Sequence, residues 1–105
     1  MTQNKAAPGD APKRCVLVVE DDPSIMLGLR INLEAEGYVV LSAEDGEKGL
    51  ELARGEKPDL VILDVMLPKL NGFQVLQTLR REGLAMPIIV VSARTGEMDL
   101  SLIHI

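Results

Sequence analysis

The sequence Pro58-Asp-Leu-Val-Ile-Leu-Asp-Val-Met-Leu-Pro68 contains four consecutive apolar residues, Leu60 to Leu63, and this run ends on Asp64. A short apolar run bounded by polar or turn residues is typical of a strand that is buried on both faces. Strands of this kind belong to parallel sheets, because the connecting helices cover both faces of such a sheet. The stretch therefore predicts an α/β protein in which Asp64 lies at the end of a buried strand.

The same pattern recurs on both sides of this strand. Cys15–Val19 and Pro87–Val91 are further apolar runs, and Tyr38–Leu41 is a shorter one. Helices are predicted between the runs, over residues 23–36, 45–54 and 73–81. Because strands and helices alternate, we expect right-handed crossovers and an open parallel sheet covered on both sides.

The ends and inward faces of the helices are predicted as well. Asp22 followed by Pro23 is typical of an N-cap and a first helical residue, and Gly37 is suited to end that helix. Helical spacing predicts inward faces formed by Ile25, Leu29 and Leu33 in the first helix, and by Phe73, Leu76 and Leu79 or Arg80 in the third.

Composition limits the classes of function that are possible. The 105 residues are 47% hydrophobic and 26% charged, which is the balance of one soluble globular domain. A net charge of -5 and an aromatic content of 2% argue against nucleic acid binding by this segment. The single cysteine, the absence of an apolar run that could cross a membrane, and the absence of a signal peptide predict a cytoplasmic protein. Residues 1–13 lack periodicity and are predicted to be a disordered lead-in.

Polar residues follow three of the predicted strands. Glu20-Asp21-Asp22 follows the first, Asp64 ends the third and Ser92 ends the fourth. The carboxyl ends of parallel strands lie at one edge of a sheet, so we expect these residues to meet there. Converging carboxylates repel one another, and a hard cation with oxygen ligands, Mg²⁺, would relieve that repulsion. A carboxylate beside Mg²⁺ can attack a phosphoryl group, and Asp64 is the candidate nucleophile.

Each of these residues also has a purely structural interpretation. An acidic trio before a helix is more often a cap than a metal site, a lone aspartate after a strand is compatible with a loop cap at Asp64, and a serine after a strand is usually a turn residue. Two enzyme classes fit poorly. A nucleotide-binding protein would have a glycine-rich loop after its first strand, and a phosphatase with an aspartyl nucleophile would have an acid where this chain has Met66. The conjunction of the three strand ends favours phosphoryl acceptance.

Three segments together resemble the receiver domain of two-component response regulators. They are Val18-Val-Glu-Asp-Asp-Pro23, then Pro58 to Pro68 with Asn71-Gly72, then Pro87-Ile-Ile-Val-Val-Ser-Ala93. The segment Asp64-Val-Met-Leu-Pro68 is similar to the corresponding segment of receivers that regulate transcription through an attached winged-helix domain. The resemblance implies a flavodoxin-like, doubly wound α/β fold with strand order 2-1-3-4.

The resemblance also implies roles for individual residues. Asp64 would be phosphorylated and would bind Mg²⁺ together with Asp21 and the backbone carbonyl of Met66. Glu20 would contact the ion through water, and Ser92 would donate a hydrogen bond to a phosphoryl oxygen. A sensor histidine kinase would be the partner. The chain would not be an enzyme in the ordinary sense, but a phosphoacceptor that assists its own phosphorylation and dephosphorylation.

The resemblance covers residues 14–99, which we interpret as an incomplete receiver domain. The family's fifth strand, the lysine that follows it and the last helices have no counterpart, and the dimerisation surface that they form is largely missing. We therefore expect the fourth strand to be an exposed edge. Residues 100–105 lack helical amphipathicity and are interpreted as a non-native tail. The function predicted is a phosphoacceptor that controls transcription in its parent protein, and the alternative is a receiver-like interaction module or an inert fragment that is not phosphorylated.

Overall fold

Strands and helices alternate along the chain in the computed structural model, which describes residues 13–92 and 99–103, with Ser92 and 99–103 described by their backbone alone. The strands are β1 (Cys15–Val19), β2 (Val39–Ala43), β3 (Leu60–Asp64), β4 (Ile88–Ser92) and β5 (Asp99–Ile103). The helices are α1 (Pro23–Ala35), α2 (Gly46–Glu56) and α3 (Gly72–Arg81). The four predicted strands and three predicted helices are confirmed, whereas the predicted disordered lead-in falls on residues 1–12, outside the described part, and on Lys13.

The strands form one sheet in the order β2-β1-β3-β4-β5, in which β1 to β4 are parallel. This arrangement is the predicted flavodoxin-like α/β fold with parallel order 2-1-3-4. The register pairs Val19 with Leu63, and Asp64 with Val91. The residues that follow β1 and those that end β3 and β4 therefore lie at the same edge of the sheet.

The prediction that β4 is an exposed edge is wrong, because β5 pairs with it in an antiparallel register. Ser92 is opposite Asp99, and Ile88 is opposite Ile103. An antiparallel strand can follow its neighbour after a short connection, whereas a parallel strand needs a crossover of a dozen or more residues. In this pairing the N–H and C=O groups of β4 have hydrogen-bond partners. At an open edge these groups would face solvent. The interpretation of residues 100–105 as non-native stays a prediction. Of these residues, the structure describes only the backbone of 100–103.

Alternate residues of the strands face opposite sides of the sheet, and each side has its own core. On one side, α2 and α3 cover the sheet. That core contains Leu17, Val19, Val61, Leu63, Ile88 and Val90 from the strands and Leu50, Ala53, Val75, Leu76 and Leu79 from the helices. On the other side, Met26, Leu29 and Leu33 of α1 pack against a smaller cluster of Val16, Val18, Ile62 and Val91. Leu29 and Leu33 thus point inward as predicted, and Met26 joins them.

The predicted inward face of α3 is confirmed at Leu76 and Leu79 and is wrong at Phe73. Phe73 is 50% exposed, whereas Gly72, Val75, Leu76 and Leu79 are buried. These four residues follow the spacing i, i+3, i+4 and i+7, which forms one stripe on a helix, and Phe73 lies outside that stripe. The helical spacing of Leu76 and Leu79 does not decide whether the inward stripe begins at Gly72 or at Phe73. In the structure it begins at Gly72.

The helices start at side-chain caps. Asp22 caps α1 as predicted, since its carboxylate accepts hydrogen bonds from the N–H groups of Ser24 and Ile25 at 2.8 and 3.1 Å. Gly37 follows α1 with a φ of 94°, the left-handed conformation expected of a residue that ends a helix. Within the described ranges, no helix has the length and apolar character needed to cross a bilayer.

Candidate functional site

Glu20 is the first residue after β1, and it is buried. Its backbone N–H donates to the carbonyl of Ala43 at 3.0 Å, which continues the pairing between β1 and β2 by one residue. Its carboxylate accepts a hydrogen bond from the N–H of Asp22 at 3.0 Å. The side chain is only 4% exposed, so an ionised Glu20 is costly unless a positive charge is close to it.

Asp64 is the last residue of β3 and is only 8% exposed. Its Oδ1 accepts a hydrogen bond from the N–H of Met66 at 3.2 Å, which orients the carboxylate toward the edge of the sheet where the β3–α3 loop begins. The next N–H, that of Val65, donates to the carbonyl of Val91 on β4 at 3.0 Å. The acceptor candidate is therefore held by a central strand and by the start of the following loop.

Glu20, Asp21 and Asp64 come together as the sequence predicted. One carboxylate oxygen of each lies within 4.8 Å of those of the other two. They line an open cavity of about 420 Å³, whose other lining residues are Asp22, Pro23, Ile25 and Met66. Asp21 is exposed, while the other two carboxylates are buried. The site is thus open to solvent on one side and closed by the sheet on the other.

The crowding of these carboxylates changes the pKa of Glu20. Burial raises the pKa of this carboxyl to about 7, against the opposing effect of the hydrogen bond from the Asp22 N–H. The negative charge of Asp64 and a side-chain hydrogen bond between Glu20 and Asp64 raise it further. Glu20 therefore holds its proton at a pH where an ordinary glutamate has lost it. No positive charge among the described residues counters these effects at Glu20.

The donor set of the site fits a hard divalent cation. All three side chains offer oxygen, and none of them belongs to the ion pairs found among the described residues. Mg²⁺ takes oxygen ligands and keeps several waters, so an open site with a few carboxylates suits it. A cation here would favour the charged form of Glu20 and remove the repulsion between the carboxylates.

The remaining predicted site residues are placed less completely. Ser92 ends β4 one residue beyond Val91, the partner of Asp64, but its side chain lies outside the described part of the chain. Met66 lines the cavity and donates its N–H to Asp64, whereas the predicted role of its carbonyl as a metal ligand stays a prediction. Asp22 lines the cavity too, and its carboxylate is used as the cap of α1, which confirms the role predicted for it.

Sequence reasoning did not find the close approach of Gly72 to Asp64. A Cβ on Gly72 would lie 2.5 Å from the backbone oxygen of Asp64, so only glycine fits without a shift. The predicted helix began at Phe73, one residue after Gly72. The signal that could have revealed the contact is the inward stripe of α3, in which Gly72 occupies the first position.

A family model confirms what this geometry suggests. The model of the response regulator receiver domain matches residues 16–102, which is most of the chain. The chain belongs to the response regulator receiver domain family. Receiver domains are signalling phosphoacceptors, and they bind Mg²⁺ at an acidic pocket such as the one formed by Glu20, Asp21 and Asp64.

Curated relatives and solved structures agree with this assignment of a receiver domain. The chain is 50% identical over 84 residues to the alkaline phosphatase synthesis transcriptional regulatory protein PhoP of Bacillus subtilis, covering 80% of this chain and 35% of that protein. It is 44% identical over 86 residues to the protein PilH of Pseudomonas aeruginosa, covering 80% of this chain and 71% of that one. The chain thus spans about a third of the length of PhoP.

Among solved structures, a receiver domain of a Francisella response regulator superposes with a TM-score of 0.75 at 31% identity. The match covers 79% of this chain and 69% of that one. This likeness supports the flavodoxin-like α/β fold.

Proposed function

We propose that this receiver domain takes a phosphoryl group from a sensor histidine kinase onto Asp64, with Mg²⁺ bound at the acidic site. The observation that supports this most is the meeting of Glu20, Asp21 and Asp64 at one edge of the sheet, two of them buried. In a longer parent protein the phosphorylated domain would control transcription, as the printed names of relatives such as PhoP suggest for those proteins. We place this activity in the cytoplasm.

The proposed ligands of the ion are Asp21, Asp64, the carbonyl of Met66 and, through water, Glu20. When bound, the ion would neutralise charge on the phosphoryl oxygens that are being transferred. The family resemblance adds Ser92 as the donor of a hydrogen bond to one of these oxygens. The chain, with a net charge of -5, would not bind nucleic acid directly.

We assign the role of nucleophile to Asp64. Its carboxylate oxygen would form a bond to phosphorus while the bond between phosphorus and the donor breaks, and the donor, a histidine imidazole of the kinase, would take up a proton. The hydrogen bond from the N–H of Met66 holds the carboxylate during this exchange. Water that enters the open cavity would later attack the acyl phosphate and release inorganic phosphate. The domain would thereby assist both steps of its own cycle.

Labelling with a small phosphodonor tests the nucleophile. Incubation of the chain with acetyl phosphate and Mg²⁺ is expected to give an acid-stable, base-labile adduct on Asp64, and Asp64→Asn should abolish the adduct. Asp59→Asn is the matched control, because Asp59 precedes the same strand and bonds the N–H of Cys15 at the opposite edge of the sheet. Full labelling of Asp64→Asn would exclude Asp64 as the acceptor. No labelling of the unchanged chain would favour an interaction module that is not phosphorylated.

A further inference from the structure

The first turn of α3 lies in close contact with the backbone of Asp64, the proposed phosphoacceptor. A Cβ built on Gly72 would lie 2.5 Å from the carbonyl oxygen of Asp64 and 3.1 Å from both the carbonyl carbon of Asp64 and the Cα of Val65. Real Cβ atoms essentially never approach another atom within 3.0 Å. Gly72 has no positive φ, so glycine is required here for its lack of volume and not for its backbone freedom.

The contact closes the loop between β3 and α3. The N–H of Gly72 donates to the carbonyl of Val65 at 3.1 Å, which ties the end of the loop to its beginning. Met66, whose N–H holds the Asp64 carboxylate, lies within the loop that this hydrogen bond closes. The loop can therefore keep its shape only while α3 stays close to the strand.

The strand cannot move away to make room for a side chain. β3 is paired on one side with β1 and on the other with β4, and the N–H of Val65 extends the second pairing. A methyl group at position 72 would therefore displace α3 and open the loop, and β3 would stay in place. The displaced group would be the backbone of Met66, at the edge of the acidic cavity.

We propose that Gly72 is a positioning residue that sets the Mg²⁺ affinity of the acidic site by holding the loop from Val65 to Asn71 against Asp64. The proposal deepens the proposed function and depends on it. Groups that orient metal ligands without touching the metal commonly change affinity by about 10- to 100-fold when they are altered. We expect a loss in the lower part of this range.

The chain offers a destabilising control on the other side of the sheet. Leu33, in the last turn of α1, packs against the smaller core cluster that contains Val16 and Val18. Leu33→Ala removes core packing without placing an atom against the loop from Val65 to Asn71. Gly28, within α1, has open space around its Cβ position, and Gly28→Ala reports the effect of a helical alanine alone.

Calorimetric titration with Mg²⁺, together with urea unfolding of the same proteins, tests the proposal. Gly72→Ala should bind Mg²⁺ about tenfold more weakly than the unchanged chain after correction for the folded fraction. Leu33→Ala should lose stability and keep its affinity, and Gly28→Ala should keep its affinity without losing stability. In metal-free protein, the NMR signal of the Met66 amide should move in Gly72→Ala and stay in place in Leu33→Ala.

The unchanged chain gives an independent test if Gly72→Ala does not fold. Mg²⁺ should slow hydrogen exchange at the amides of Gly72 and Met66 together, and leave the amide of Lys48, which bonds the α2 cap, unaffected. Slowing at Met66 without slowing at Gly72 would overturn the proposal, as would equal losses of affinity in Gly72→Ala and Leu33→Ala. These outcomes leave the proposed function intact, whereas failure of the unchanged chain to bind Mg²⁺ overturns both.

Discussion

Glu20 and Asp64 are two buried carboxyls that share a hydrogen bond at the edge of a sheet, and this contact determines how the site responds to pH. Burial, followed by the charge and hydrogen bond of Asp64, raises the pKa of Glu20 to about 7 from an ordinary value of 4.5. Because the folded state binds this proton more tightly, Glu20 stabilises the fold most below pH 4.5. That contribution disappears as the pH rises through 7.

Glu20→Gln should remove this pH dependence. In metal-free buffer, the free energy of unfolding of the unchanged chain should fall relative to that of Glu20→Gln between pH 5 and pH 8, because only the unchanged chain must ionise a buried carboxyl. After allowance for screening by solvent, we expect a relative change of about 1 kcal/mol. Urea unfolding at several pH values measures it, with the exposed Glu51→Gln of α2 as the control. If the unfolding free energies of the unchanged chain and Glu20→Gln changed in parallel with pH, the raised pKa of Glu20 would be contradicted.

At the scale of single residues, the sequence predicted which carboxylates meet. It did not predict the pKa of Glu20 or the packing at Gly72. Glu20, Asp21 and Asp64 follow apolar runs, so their meeting at one edge was predictable from the parallel sheet. The raised pKa of Glu20 depends on burial and on its distance from Asp64, which exist only in the folded chain. The space requirement at Gly72 is likewise a property of two segments that pack together.

Helix α3 is the element that connects the core to the site. Its inward stripe packs on the sheet, and its first residue contacts Asp64. A capping box starts it: Asn71 accepts from the N–H of Gln74 at 2.9 Å, and the Gln74 side chain accepts from the N–H of Asn71 at 3.0 Å. The start of the helix is therefore fixed by two reciprocal hydrogen bonds.

Asn71→Ala should destabilise the protein by about 1 kcal/mol, because the N–H of Gln74 then loses its partner at the helix start. Asn71→Asp keeps a side-chain acceptor and should cost much less. Chemical unfolding of the three proteins under the same conditions measures the difference. If Asn71→Ala and Asn71→Asp unfolded at the same urea concentration, the capping box would not stabilise α3.

The elements also show where sequence patterns mislead. Asp22, Pro23 and Gly37 fixed the ends of α1 correctly, because capping is a local property of a few residues. On the inward face of α3, Leu76 and Leu79 were predicted correctly and Phe73 wrongly, because the first inward position belongs to Gly72, one residue earlier. Strand β5 was missed because helical amphipathicity was sought in residues 100–105, although pairing with β4 requires only backbone groups.

At the scale of the whole molecule, the sheet is covered unevenly. Among the described elements, α2 and α3 cover one side and α1 covers the other, and Leu27 and Ile31 of α1 are both 56% exposed. The edge of β4 is covered by the backbone of β5. The solubility of the chain therefore depends on its edges as well as on its two cores.

Removal of residues 99–105 should promote self-association, because the unpaired edge of β4 then becomes available to a second molecule. Light scattering at increasing protein concentration would compare this shortened chain with one that ends at Ile103 and keeps β5. The shortened chain should form larger species at lower concentration. Identical scattering from the two chains would show that β5 does not protect this edge.

The placement of Glu20 and Asp21 after β1, and of Asp64 at the end of β3, has a kinetic consequence. These strands are neighbours in the sheet, but β2 and two helices lie between them in the chain, so the carboxylates meet only after a long loop has closed. We expect the site to form late in folding, because the final approach also brings like charges together. A bound cation would therefore leave the refolding rate nearly unchanged and slow unfolding, because it must be released before the strands separate. The metal would therefore increase the kinetic stability of this protein.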